Sequence, residues 1–367
     1  MKENILKVDT CAGCMVCQQV CPKECIEIKF DELGHTYPKV KENDCISCAK
    51  CLKTCPEYTP VQHYNNKNVY AVWANNNSER QTSTSGGIAS VLSRYIIEND
   101  GVVFGAAFEP PFSVNHIEID CLADVDKLKG SKYVQSDTSV CWSTFKKEIK
   151  SGRKVLFVGT PCQTAAAIKL AGGVENLLTV DLVCHGVPSL AMLKSTIPQD
   201  VINMGISNLV FREKAKYHFS ILRERQVVYE RTLNKDWYYK AFFGGLICRE
   251  SCLHCKYAQF QRVTDLTIGD FWGLKQEEPN VDIRKGVSMM IVNTEKGAEV
   301  LRAVSDRVTM KEKTMEEAMK DNDQLKAPIK ISKLKRRIFK FLYPKYGLGP
   351  AFACSSPAVF IKNMIIR

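Results

Sequence analysis

No run of eighteen or more apolar residues occurs in the 367 residues, so no segment is long enough to cross a bilayer as a helix. Residues 1–9 lack the apolar core of an export signal, and the expectation is a cytoplasmic protein. Disulfides are excluded from that expectation too: 17 cysteines, an odd number, in a reducing compartment argue for metal ligation. No recognition motif for nucleic acid accompanies the net charge of +11, so no nucleic-acid partner is expected. The length exceeds what a single growing core supports, which implies two or three domains.

What the chain does have is cysteine in a repeated pattern. Cys11-x2-Cys14-x2-Cys17-x3-Cys21-Pro22 recurs 34 residues later as Cys45-x2-Cys48-x2-Cys51-x3-Cys55-Pro56. A cubane needs four sulfurs around one compact object, and two-residue gaps let a tight loop present three of them. In runs of this kind the cysteine before proline ligates the other cluster. Cys11, Cys14 and Cys17 are therefore expected to pair with Cys55, and Cys45, Cys48 and Cys51 with Cys21, around two 4Fe-4S clusters. Structural zinc also uses Cys-x2-Cys pairs, but it needs neither the third cysteine nor the Cys-Pro closure at the same place twice. Cys25 falls outside the register and reads as a small buried residue.

The positive charge lies downstream of this module. Residues 1–60 hold 8 Lys and Arg against 9 Asp and Glu, a balance of -1. Part of the excess sits in residues 326–345, where Lys326, Lys330, Lys333, Lys335, Arg336, Arg337, Lys340 and Lys345 meet no acidic residue and alternate with Ile331, Leu334, Ile338, Phe339, Phe341 and Leu342. Two readings fit: a basic amphipathic helix in peripheral contact with an anionic membrane, or a terminal helix packing its apolar stripe on its own domain. The second is preferred.

Polar residues and Pro60 between residues 57 and 68 mark a boundary. Beyond it, short β-branched runs alternate with helical patterns, which predicts an α/β fold with a mainly parallel sheet. Strands are expected at 69–73, 102–108, 155–158, 178–183 and 287–292, with helices at 88–98 and from about residue 295. The expected organisation is a ferredoxin-like α+β module (1–60), a linker (61–68), an α/β domain (69–310) and a basic helical extension (311–367).

Ligands in such sheets sit beyond the carboxyl ends of the strands, so the loops there are where chemistry is expected. Thr82-Ser83-Thr84-Ser85-Gly86-Gly87 precedes the helix at Ile88 and suits a phosphate at a helix start. Cys162 follows one apolar strand, and Cys184-His185-Gly186 follows another. Cys248 and the pair Cys252-x2-Cys255 come next, before Asp265 and Gly269-Asp270-Phe271-Trp272-Gly273. Cys162, Cys184, Cys252 and Cys255 form a candidate ligand set for a third 4Fe-4S cluster, with Cys248 as a substitute for any one. Structural zinc competes for the same thiols. A catalytic thiol at Cys162 has no sequence-adjacent base to support it.

Several of these motifs, in order, resemble the coenzyme F-420 hydrogenase/dehydrogenase beta-subunit family. They are Ser83 to Gly87, Gly130-Ser131-Lys132-Tyr133-Val134-Gln135-Ser136, residues 155–163 and 181–189, Cys252-x2-Cys255 and residues 267–273. The resemblance implies a flavin-binding domain that carries FAD and a 4Fe-4S cluster and exchanges hydride with a substrate such as the deazaflavin F-420. Carried over residue by residue, it implies that Ser85, Gly86 and Gly87 contact flavin or phosphate. Lys132, Tyr133, Gln135 and Ser136 would line the same pocket, with Thr160 and His185 nearby. Asp270 and Trp272 would position substrate or flavin, or serve only the fold. No catalytic residue is assigned.

The function expected from all this is an iron-sulfur flavoprotein oxidoreductase. It would pass electrons between ferredoxin-type clusters and a flavin that exchanges hydride with an organic substrate, either an F-420-like deazaflavin or a sugar- or lipid-linked carrier compound. An external electron donor or acceptor protein completes the scheme. The competing readings are a non-catalytic electron-transfer adaptor subunit of a larger redox complex and a zinc-stabilised binding module.

Overall fold

The computed structural model describes residues 3–8, 10–233, 236–274 and 281–357. Parts of the export-signal reading, at residues 1, 2 and 9, and the end of the basic extension, residues 358–367, lie outside the described residues.

The cysteine runs fold as a small module around one antiparallel hairpin, β1 (Ile26–Phe30) and β2 (Thr36–Val40). Two one-turn helices, Val16–Gln19 and Lys50–Thr54, carry the runs. Each begins after a left-handed residue at the same place in the repeat, Met15 (φ 54°) and Ala49 (φ 55°). The module's core is built from Ile5, Ile26 and Val40 with Cys17, Cys25, Cys51 and Cys55. Cys14 and Val16 instead join Trp142, Phe145 and Phe157 of the larger domain. Trp142 Nε1 donates to Cys14 O at 2.7 Å, and Thr138 Oγ1 donates to the same carbonyl at 2.9 Å. The module is thus tied by hydrogen bonds and by buried aromatic surface.

The larger domain is a mixed eight-stranded sheet. In chain order its strands are β3 (Asn68–Ala74), β4 (Val102–Glu109), β5 (Ser113–Ile119), β6 (Val155–Gly159), β7 (Leu177–Leu182), then β11 (Leu266–Asp270), β12 (Ser288–Val292) and β13 (Val308–Lys313). The spatial order is β13-β3-β12-β11-β7-β6-β4-β5. β3, β4, β6, β7 and β11 run one way, and β5, β12 and β13 the other. The central strands are mostly buried because helices cover both faces, as parallel sheets require, and β7 and β11 bury Thr179, Asp181 and Thr267 along with their apolar residues. The helix Ile88–Glu98 buries Ile88, Val91, Leu92 and Ile96 on one side. Trp142–Ser151 and Pro161–Ala171 bring Trp142, Phe145 and Ala166 to the other.

Between β7 and β11 the chain adds a three-stranded antiparallel sheet, β8 (Asn208–Glu213), β9 (Lys216–Arg223) and β10 (Gln226–Thr232), and the helix Trp237–Phe243. The sequence patterns predict no strand here. These elements share a core with the C-terminal helices Lys333–Tyr346 and Leu348–Ser355 through Phe211, Phe242, Phe339 and Phe352.

Two expected boundaries shift. β13 crosses residue 310 and pairs with β3, so the sheet domain extends to Lys313. The segment expected as a linker is packed down: Val61 is buried beside Tyr257 and Val263, and Tyr64 N donates to Arg262 O at 2.7 Å. The basic helix turns its apolar stripe inward at Phe339, while Arg336 is buried and donates to the carbonyls of Gly245, Leu246 and Cys248. Leu334 and Phe341 remain exposed.

Candidate redox site

The left-handed turns at Met15 and Ala49 let each short helix start directly inside its run, which brings sulfurs three residues apart to one side. The thiols of Cys11, Cys14, Cys17 and Cys55 face one another. Burial pushes the Cys14 thiol far up, and Cys55, Cys17 and Cys11 raise it further as like charges. Cys17 is raised by burial, then by Cys11, Cys55 and Cys51, so it stands between the two sets. Cys21, Cys45, Cys48 and Cys51 line a separate small cavity. Cys25 is buried in that cavity's wall, its Sγ 3.4 Å from that of Cys21.

A third set forms at the carboxyl ends of β6 and β7. Thr160 caps the helix Pro161–Ala171, with the Gln163 side chain returning to the Thr160 amide, and this places Cys162 in the first turn. Cys184 leaves the end of β7, and the short helix Glu250–His254 supplies Cys252 just ahead of Cys255. All four line one cavity with Thr160 and His185. Burial pushes Cys162 up to about 12, and Cys252 and Cys255 each up to about 11. On Cys184, burial acts first and Cys252, Cys162 and Cys255 add to it. Cys248 is turned away, with its Sγ 3.7 Å from Phe242 O.

Among the described residues, no three His, Cys, Asp or Glu side chains are gathered tightly enough to hold a single metal ion.

The sets adjoin. Ala12 and Glu57, neighbours of the first set, also line the third cavity. Tyr257 stands between them: burial raises its hydroxyl far above its ordinary value, and Glu57, Cys162, Cys14 and Cys255 add to the rise.

Beyond the third set opens a cavity of about 430 Å³. It shares Thr160, Cys184, His185, Gly186, Val187 and Gln324 with the thiol cavity. One wall is the start of the helix Ile88–Glu98, whose N-cap, Gly87 (φ 88°), has no side-chain cap, which leaves amides free toward the cavity. Ser85, Gly87, Lys132, Tyr133, Ser136, Thr160 and His185 all line it. Lys132 donates to Leu128 O at 3.0 Å and Lys129 O at 2.7 Å, and burial pushes its ammonium down to about 7. His185 packs edge-on to Phe242, ring centroids 5.0 Å apart, and its Nε2 is buried without a hydrogen-bond partner.

Two expected contacts are corrected. Gly86 packs beneath the loop, its amide 2.9 Å from Ser288 Oγ, and a side chain there would meet Val72 O and Ser288 N; it allows close packing and does not face the cavity. Gln135 does not line the cavity, although Lys132, Tyr133, Val134 and Ser136 do. Its Nε2 donates to Ala12 O at 3.0 Å, and its Oε1 accepts from Arg249.

The comparisons with known proteins agree with this division. Residues 10–58 match a family described as 4Fe-4S dicluster domain. Residues 152–318 match the family of the C terminus of the coenzyme F420 hydrogenase/dehydrogenase beta subunit. The chain thus joins a 4Fe-4S dicluster match to a match with the C terminus of the F420 hydrogenase/dehydrogenase beta subunit. A chain of the F420-reducing [NiFe] hydrogenase complex from Methanosarcina barkeri, solved as a xenon derivative, superposes on 68% of this chain and 83% of its own length, with a TM-score of 0.48 and 18% identity. No curated protein matches. The dicluster match and the two cysteine runs together support two 4Fe-4S clusters, and no helix among the described residues is long and apolar enough to cross a membrane.

The region matched at residues 152–318 also holds residues that the motifs do not point to. Arg212 from β8 donates to both oxygens of Asp270 at 2.7 and 2.8 Å and to Tyr133 Oη at 3.2 Å. Burial works against its charge, and the Asp270 carboxylate more than restores it. Its guanidinium lies over Tyr217 and Trp272, 5.3 and 5.1 Å from the ring centroids. Lys214 pins the loop ahead of the helix Ile88–Glu98 by donating to Ser83 O at 2.7 Å and to Arg80 O. Both come from the inserted sheet, whose strands carry no motif.

Proposed function

We propose that this chain is an iron-sulfur flavoprotein oxidoreductase that moves electrons between ferredoxin-type clusters and a flavin exchanging hydride with an organic substrate. The observation that carries the reading is the wall shared by the four-thiol cavity and the 430 Å³ cavity, formed by Thr160, Cys184, His185 and Gly186. A flavin bound there converts two-electron hydride chemistry into single-electron steps that iron-sulfur clusters can carry.

Residue roles follow from the donor groups. The free amides after Gly87 and the Ser85 backbone fit a phosphate at the positive end of a helix dipole. Lys132, with two protons given to carbonyls, keeps its third for an anionic atom of the ligand. Cys162, Cys184, Cys252 and Cys255 fit a third cluster. The His185 ring separates the two cavities and offers an unused ring nitrogen to either. Tyr217, Trp272 and the Arg212-Asp270 pair form the far wall, where the hydride partner would be placed. An F-420-like deazaflavin and a carrier-linked compound both fit a planar or extended group laid on these aromatics.

The test is anaerobic purification with iron, sulfide and flavin counted together. The reading expects about twelve irons, the content of three 4Fe-4S clusters, with one flavin per chain, and a loss of about four irons in Cys252→Ser. About eight irons without flavin would instead make the chain an electron-transfer adaptor.

A further inference from the structure

Arg249 is 1% exposed. Its Nε and Nη2 donate to Gln135 Oε1 at 3.0 and 2.9 Å, Nη1 points to Cys11 O at 3.4 Å, and Nη2 donates to Thr36 Oγ1 at 3.2 Å. Its guanidinium carbon lies 4.8 Å from the Tyr37 ring centroid, and any side chain at Gly13 would collide with it. Every acceptor here is neutral: an amide oxygen, a carbonyl and a hydroxyl. A guanidinium stays charged, and burying a charge without an opposite one costs several kcal/mol, on the order of the penalty for a lone buried ion. Of the other buried arginines, Arg262 pairs with Asp181, Arg212 with Asp270 and Arg336 with Glu250, while Arg80 donates to the carbonyls of Gly286 and Asp282 and lies over the Trp73 ring. Arg249 instead lies against the first cysteine loop, reaching Cys11 O and filling the space beside Gly13. Its charge acts on Cys11 and, further off, on Cys252 and Cys162.

We propose that Arg249 is the fixed counter-charge of the cluster held by Cys11, Cys14, Cys17 and Cys55, and a positioning residue that raises that cluster's reduction potential. Four thiolates around a 4Fe-4S core carry net negative charge, and one-electron reduction adds one more. A buried cation a few ångströms away favours the reduced form, and net charge near a cluster is among the terms that set its potential. Gln135 holds the guanidinium with one oxygen and Ala12 O with its amide, so the charge is oriented against the cysteine loop. The inference rests on the two clusters of the dicluster domain and not on the flavin.

The experiment is an EPR-monitored redox titration of the full chain, purified anaerobically, as wild type, Arg249→Met and Arg249→Lys, with iron and sulfide counted in each. Arg249→Met is expected to keep its iron and to lower the reduced-to-oxidised ratio of one dicluster signal about tenfold at fixed potential, a shift of about 59 mV for one electron. Arg249→Lys, which keeps the charge and loses the fork, is expected to stay within about twofold of wild type, about 18 mV on the same scale. Unchanged potentials in Arg249→Met overturn the proposal, as does an equal shift in Arg249→Lys, which would make the fork geometry the cause. Should Arg249→Met lose its clusters, retention in Arg249→Lys supports the counter-charge, and loss in both overturns it. Wild-type protein without iron would refute the dicluster assignment itself, and the proposal with it, before any variant is compared.

Discussion

Arg262 Nη2 lies 2.7 Å from Asp181 Oδ2, with both side chains out of solvent. Asp181 is the penultimate residue of β7, three residues before Cys184, and Arg262 also donates to Tyr257 O at 2.7 Å and Leu182 O at 3.2 Å. The pair therefore clamps the strand end that supplies one thiol to the segment that supplies two others. Arg262→Met leaves a carboxylate buried and unpaired, a loss of about 3–5 kcal/mol. Denaturant unfolding measures it, and a loss under about 1 kcal/mol would show that the clamp is not structural.

Lys132 lines the large cavity with its ammonium held by two carbonyls. If its third proton meets an anionic ligand atom, Lys132→Met removes a charge-assisted hydrogen bond of about 1.5–3 kcal/mol. Flavin affinity should then fall roughly tenfold or more, read by fluorescence titration of the flavin-stripped protein. Equal affinity in the variant would remove Lys132 from the flavin site.

His116 supplies a pH dependence. Its Nε2 is 3.0 Å from Val158 O and its Nδ1 2.9 Å from Ser136 Oγ, so Nε2 donates to the carbonyl and Nδ1 accepts from the hydroxyl. Burial pushes the ring down to about 4, against the help of Val158 O. The unfolded chain takes up a proton near pH 6.5 while the folded one does so only near 4. Stability is therefore fully present above about pH 6.5 and is lost as pH falls toward 4, by about 2 kcal/mol at pH 5. Denaturant midpoints of wild type and His116→Gln at pH 7 and pH 5 would differ in their pH dependence by that amount. Parallel behaviour of the two proteins would refute the assignment.

Phe339 anchors the basic helix. Fully buried among Phe352, Tyr238 and their neighbours, it should cost about 3–5 kcal/mol when cut to alanine. If Phe339→Ala costs less than about 1 kcal/mol, the helix is not held by this core, and the membrane reading regains ground; binding to anionic vesicles then becomes the deciding measurement.

Of the sheet strands, β3, β4, β6, β7 and β12, but not β5, β11 or β13, are legible in the sequence together with the helix Ile88–Glu98, because hydrophobic period is a local property. The inserted sheet is not, since β9 and β10 mix charged and aromatic residues without clean alternation: β9 reads Lys216-Tyr217-His218-Phe219 at its start. With it go Arg212, Lys214 and Tyr217, which the motifs leave out of the site. Gln135 is legible as part of the correct segment but not of the correct side, because its partners, Ala12 O and Arg249, lie far away in sequence.

The dicluster cysteines are a matter of sequence alone: sulfurs three residues apart can meet one cubane through a single turn, and the repeat announces the second. Nothing local says that Cys162, Cys184, Cys252 and Cys255 share a cavity, or that Arg249 would be buried against Cys11. Those meetings depend on β6, β7 and β11 lying side by side in the sheet, and on the module docking through Trp142. Long-range neighbours are set by burial of whole faces, a quantity summed over the fold that no short stretch of residues contains.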